Sequence, residues 1–287
     1  DGAARPSGVV FDTRWDTSHN FAHILLNQVP RALLAVEGLG LASADEASVV
    51  VPADAPGYAR QIWTCLGFRL LATDGDVVGE HAVVEAPRRE HTRALATELY
   101  TRRVLPLLPE GEPIGRKIFI GRRGARSIEN AGEVRGYLEA RGFTTVYPEE
   151  HPVPVQMKII ADAEEIVAVH GAALGPLPVK PAGKPFTCIE LFGAGYISTA
   201  YRFLTRRAGG RWVGVRGRVQ RGDLALDRPG ADPRARQGAS FSVDLAALDA
   251  AFAVAAAGGP WTQAPWPAEI RYGGPSAPRT PAGDERA

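Results

Sequence analysis

The runs KIFIG (117–121), TTVY (144–147), EIVAVHG (165–171) and FTCIEL (186–191) decide the fold class. Each is short and rich in β-branched or aromatic residues, the composition of strands. ENAGEVRGYLEARG (129–142) and VPVQMKIIADA (153–163) between them carry apolar residues at helical spacing. Strand and helix in alternation predict βαβ units and a parallel sheet. In an open parallel sheet a ligand sits outside the carboxyl ends of the strands, where backbone groups and helix N-termini face a crevice. Three of these ends carry polar residues: Arg122-Arg123 after the first strand, His170-Gly171-Ala172 after the third, and Glu190 in the fourth. Two guanidinium groups, a Gly-containing strand-to-helix turn and a carboxylate on one rim suit a nucleotide diphosphate.

The first hundred residues repeat the alternation. GVVFDT (8–13) reads as an opening strand, Asp16-Thr17-Ser18 as cap residues, and a helix follows from about Asn20 with Ile24, Leu25 and Leu34 on its apolar side. Pro30 has no N–H to donate and disfavours helical geometry at Val29, so this helix is expected to kink there or restart at Arg31. Strands are expected at 47–51, 68–72 and 77–84, and helices at 58–66 and 90–107. Pro106, Pro109 and Pro113 then interrupt the pattern. The expected division is a first α/β domain over 1–108, a linker over 109–115, a second α/β domain over 116–257 and a Pro/Gly-rich tail over 258–287. In the second domain a helix is expected over 197–207, a last strand over 211–215, a loop over 216–239 and a helix over 243–256. Trp261 and Trp266 of the tail are expected to pack back onto the body.

A chain of 287 residues can bury a real core. Its formal net charge of +1 offers no field to gather nucleic acid, so any anion site is local. The two cysteines, Cys65 and Cys188, sit in apolar surroundings and read as buried thiols of a reducing cytoplasm, too few for a disulfide framework or a zinc cluster. No run approaches the ~20 apolar residues that span a bilayer. Peripheral association with the inner face of a membrane remains open, and the oligomeric state is not encoded in any pattern.

RRGARSIEN (122–130), Gln156 within VPVQMKIIADAEEIVAVHGAAL, and Glu190 of CIELF, in that order, resemble glycosyltransferase family 61. SHNFAHILLNQVPRALL (18–34) is similar to that family's N-terminal motif, Asn20 and His23 ahead of Pro30-Arg31. The resemblance implies a GT-B fold, two Rossmann-like domains facing a central cleft. It implies metal-independent inverting transfer of a sugar, usually from a UDP-sugar, to a glycan acceptor, and for a bacterial member a part in surface polysaccharide synthesis. Where the family usually reads HGAGLTN, this chain has HGAALGP (170–176).

On this reading Arg122 or Arg123 grips phosphate while the other orders the loop. His170, Gly171 and Ala172 let the diphosphate approach the backbone, with a helix near Ala173 presenting free N–H groups. Glu190 accepts the ribose hydroxyls. His23 is the candidate base that takes the acceptor's proton, with Asp12 and Asp16 as substitutes or as carboxylates orienting its ring. No resident cofactor or metal is expected, and Asn130 and Gln156 read as structural. Each residue also has a bland reading: solvated arginines, a satisfied histidine, a paired carboxylate, a helix cap. A UDP-sugar epimerase and a non-catalytic glycan- or nucleotide-binding module are the alternatives; an epimerase would act on a UDP-sugar without an acceptor, and a binding module would hold UDP without turnover.

Overall fold

The structure, a computed structural model, describes residues 3–15, 18–79, 81–83, 89–218 and 238–257, with the backbone alone for 81–83 and 89–95. Two parallel sheets form. The first comprises β1 (Val9–Asp12), β2 (Ala47–Val51), β3 (Arg69–Ala72) and β4 (His81–Val83), in the order β3-β2-β1-β4. The second comprises β5 (Lys117–Ile120), β6 (Thr144–Val146), β7 (Glu165–Val169), β8 (Thr187–Phe192) and β9 (Arg211–Arg216), in the order β6-β5-β7-β8-β9. Helices α1 (Phe21–His23), α2 (Val29–Gly38), α3 (Gly57–Cys65) and α4 (Arg89–Arg103) belong to the first half. Helices α5 (Ala131–Glu139), α6 (Val153–Asp162), α7 (Ala200–Arg207) and α8 (Leu245–Ala256) belong to the second. The fold is α/β with parallel sheets, and among the described residues of the strand expected over 77–84 stand β4 and a lone bridge from Ala4 to Val77.

The strands of the second sheet are apolar without polar alternation because both faces are covered. Ile118, Ile120, Ile166, Ala168 and Cys188 join the main core, while Phe119, Val167, Val169, Ile189 and Leu191 pack with Val134, Leu138 and Leu248 of α5 and α8 on the other face. The main core also takes in β1, β2 and the helices of the first half, so the prolines at 109–115 separate the sheets but not the core. Asp1–Ala256 forms one compact unit. Asp16, most of the 216–239 loop and the tail with Trp261 and Trp266 lie outside the described residues.

The helix does not restart at Arg31. The chain passes from α1 through a π-helical turn, Ile24–Gln28, directly into α2, with Pro30 in the first turn of α2. In a π turn the N–H of residue i+5 bonds the carbonyl of residue i, as Val29 does to Ile24. The next donor would be Pro30, which has none, and the carbonyl of Leu25 is left over. The Tyr100 hydroxyl from α4 donates to it, and both residues are fully buried. Gly175 makes a second tie between the halves, since a Cβ there would lie 2.9 Å from Cα of Ala22.

Lys180 is 2% exposed; its ammonium caps the end of α6 through the carbonyls of Ala161 and Ala163 and lies 4.7 Å from the Phe186 ring. Burial brings its pKa down to about 8 from 10.5. Below about pH 8 Lys180 is charged folded and unfolded, so the burial cost is present in full. Between about 8 and 10.5 the unfolded chain binds more protons, and stability from this group rises with pH.

Two outcomes are expected from urea titrations. Tyr100→Phe orphans a buried carbonyl and lowers the unfolding free energy by roughly 1–3 kcal/mol; an unchanged midpoint would remove Tyr100 from its role. The stability difference between wild type and Lys180→Met moves in favour of wild type as pH rises from about 8 to 10.5, and a difference flat across that window would contradict the buried-cation account.

Candidate active site

In the second sheet the chain order reverses between β5 and β7, neighbours in register through Ile120 and Ala168. Crevices of open α/β sheets form where the order reverses, outside the carboxyl ends. The segments leaving these ends, Gly121-Arg122 and His170-Gly171, meet there. Arg122 Nη1 and Arg126 Nη1 each donate to the carbonyl oxygen of His170 at 3.3 Å, and Arg122 Nε donates to Ala125 O at 2.6 Å. Burial, and then the like charge of Arg126, hold the pKa of Arg122 below its ordinary value. Gly171 has an extended backbone, and it is required for space: a Cβ would fall on Nη1 of Arg122.

Next to this pair lies a cavity of about 430 Å³. Its wall includes Asn20 and His23 from the first half and Arg126, His170, Gly171, Ala172, Tyr196 and Tyr201 from the second. His23 is placed by its own helix: Asn20 is the N-cap, accepting the His23 N–H at 3.2 Å, and Nδ1 of His23 lies 3.4 Å from Nδ2 of the buried Asn27. His170 is held from below, its Nδ1 being 2.5 Å from Oε1 of Glu190.

The structure thus brings His23, His170, Gly171 and Ala172 to one cavity, with Arg122 off its wall and bonded to the His170 carbonyl. Other expected residues lie elsewhere. Arg123 points out, paired with Glu150 at 2.7 Å and stacked 3.9 Å from the centre of the Tyr147 ring, so it orders the loop. Glu190 is 0% exposed and off the cavity wall; Oε1 meets His170 and Oε2 accepts the Trp212 indole N–H at 2.7 Å, leaving neither oxygen turned to a ribose. Asp12 is clasped by Arg14 at 2.6 Å, off the cavity wall. Burial raises the Asp12 pKa, but the bonds from Arg14 outweigh it and hold the carboxyl below its ordinary value, which makes a poor base. Asp16 lies outside the described residues. The helix expected near Ala173 is a three-residue 3₁₀ turn, Ala172–Leu174, which Pro176 and Pro178 keep from extending. Asn130 exchanges two hydrogen bonds with the backbone of Val243, and Gln156 donates to His151 O; both are structural contacts.

Arg126 was not singled out by its residue type, since RRGARS offers three arginines. Its backbone supplies the missing signal: φ of 63° beside Gly124 at 74°, with its N–H on Gly238 O, turns the loop back toward the crevice. Tyr196 and Tyr201 flank the start of α7, which composition marks only as a helix. Among the described residues no group of three or more His, Cys, Asp or Glu could hold a metal ion. The Asp-x-Asp spacing at Asp74-Gly75-Asp76 forms a turn after β3, with Asp74 accepting the Ala53 N–H, away from the cavity wall.

Gly171→Ala moves the Arg122 guanidinium out of place without backbone strain. The affinity for inorganic pyrophosphate, read by calorimetry, should fall about tenfold with the melting temperature nearly unchanged. Undiminished affinity would exclude Arg122 from the anion site.

Comparison with known proteins adds three findings. No curated protein matches the sequence. Among solved structures, E. coli heptosyltransferase WaaC with ADP aligns at 10% identity over 74% of this chain and 91% of its own, with a TM-score of 0.39. The profile described as Glycosyltransferase 61 matches residues 21–183, from the helix that carries His23 to beyond the His170 turn, and with more than half of the sequence covered the chain belongs to glycosyltransferase family 61.

Proposed function

We propose that this glycosyltransferase moves a sugar from a UDP-linked donor to a glycan hydroxyl with inversion, in a GT-B-type arrangement and without a metal ion. The observation that carries the reading is the convergence of Arg122 and Arg126 on the His170 carbonyl beside the cavity. Two guanidinium groups held together at a partly dry site repel each other, and a diphosphate relieves that repulsion. They then neutralise the negative charge that grows on the departing nucleoside diphosphate, the part a divalent cation takes in other transferases. The N–H groups of Ala172 and Ala173, at the start of the Ala172–Leu174 turn, supply further donors, while that of Leu174 closes the turn on Gly171 O.

His23 is the base in this account. The acceptor oxygen attacks the anomeric carbon on the face opposite the diphosphate, its proton passes to the imidazole, and the sugar–phosphate bond breaks with its electrons going to the diphosphate. The π turn that follows His23 and carries Asn27 also places Leu26 on the cavity wall, and irregular turns of this kind recur at functional sites. A bacterial member of this type would work on surface glycans at the cytoplasmic face of the membrane. The free thiols of Cys65 and Cys188 fit a reducing compartment, and no helix of the described residues is long and apolar enough to cross a bilayer.

Calorimetric titration with UDP tests the donor site. Arg126→Ala and His170→Ala should each weaken binding roughly ten- to hundredfold, the size of a lost charge-assisted contact; undiminished affinity in both would remove the assignment. With donor and acceptor supplied, turnover should survive a chelator. His23→Gln should lower kcat by ~100-fold while leaving UDP affinity in place, and a fall below about threefold would move the base elsewhere.

A further inference from the structure

We propose that Glu190 is a positioning residue: buried beneath the cavity and locked by Trp212, it holds His170 with Nδ1 protonated, so that the ring presents Nε2 to the cavity. In this proposal Glu190 acts as a carboxylate, which only accepts hydrogen bonds, and the proton in the 2.5 Å contact between Oε1 and Nδ1 sits on the ring. The indole N–H of Trp212 only donates, and at 2.7 Å it fixes Oε2. Room for the indole comes from Gly214, which stands opposite Glu190 in the sheet; a Cβ there would lie 2.6 Å from Trp212 Cη2.

The ring has no freedom to turn away. It stacks on Phe192 at a centroid distance of 5.2 Å, with Tyr196 and Tyr201 at 5.2 and 5.4 Å. Its backbone N–H is bonded to Leu191 O and its carbonyl takes both guanidinium groups. With Nδ1 committed, Nε2 is the ring nitrogen left for the cavity. Glu190 therefore acts through His170, and a ribose hydroxyl has no place on it.

The chemistry of an amide separates this role from simple packing. In Glu190→Gln the amide oxygen must stay with the Trp212 indole, which turns its NH₂ group toward His170. Nδ1 must then accept, and the proton moves to Nε2. Adding Trp212→Phe frees the amide to turn round and accept from Nδ1–H again. Long-range proton–nitrogen correlation spectra of the full chain, without ligand, should show Nδ1 protonated in wild type, Nε2 protonated in E190Q, and the wild-type pattern restored in E190Q/W212F. UDP affinity should fall about tenfold in E190Q, the scale of an outer partner that orients a histidine, and recover in the double variant.

An unprotonated Nδ1 in wild type overturns the proposal, and that spectrum suffices if E190Q fails to fold. An E190Q spectrum identical to wild type overturns it as well. This assignment rests on the donor-site reading only for its UDP arm: spectra as expected with no response to UDP would support the Glu190 lock and count against the donor site.

Discussion

Two guanidinium groups share one carbonyl oxygen, and much of the second half is arranged to make that tolerable. Arg122 and Arg126 are held on His170 by the meeting of two strand ends, by the absence of a side chain at Gly171 and by the left-handed backbone of Arg126. Like charges concentrated at a partly buried rim cost free energy in the empty protein. The cost fits a site whose natural occupant carries two or more negative charges. The parallel order β6-β5-β7-β8-β9 places this rim where an open sheet leaves a crevice.

The first half supplies what the arginines lack. His23 reaches the same cavity on a helix that departs from α geometry just before Pro30, and the carbonyl freed by that proline is satisfied by Tyr100 from another helix. A local sequence conflict is thus resolved by a tertiary hydrogen bond, which fixes the turn that follows His23 and carries Asn27. The close approach of Gly175 to Ala22 brings the HGAALGP turn against the same helix, so the departure at this position serves packing between the halves. Two histidines then face one volume with unlike partners at Nδ1, a buried carboxylate for His170 and an amide for His23. That asymmetry suits one ring for charge at the leaving group and the other for the acceptor proton.

The strands and the parallel sheets were legible because residues such as Ile118, Phe119, Val167 and Ile189 are buried on both faces and leave an unbroken apolar signature. The rim position of His170 and Gly171 followed from the same pattern. Glu190 did not follow: a carboxylate at the end of a strand looks alike from sequence whether it faces a ligand or a neighbouring histidine, and only Trp212 opposite it decides. Arg123 and Arg126 differ by backbone direction, which their residue type does not carry. Pro30 misled for a related reason, since the hydroxyl that rescues its helix lies seventy residues away, at Tyr100.

The central claim is that the cavity beside Arg122 and Arg126 takes the donor diphosphate. A crystal structure of the protein soaked with UDP tests it most directly. The account predicts both phosphates within hydrogen-bonding distance of the Arg126 guanidinium, the Gly171–Ala172 backbone and His170 Nε2, with Glu190 still buried on His170 and Trp212. UDP seated away from that rim, or its ribose on Glu190 with the His170 contact broken, would contradict it.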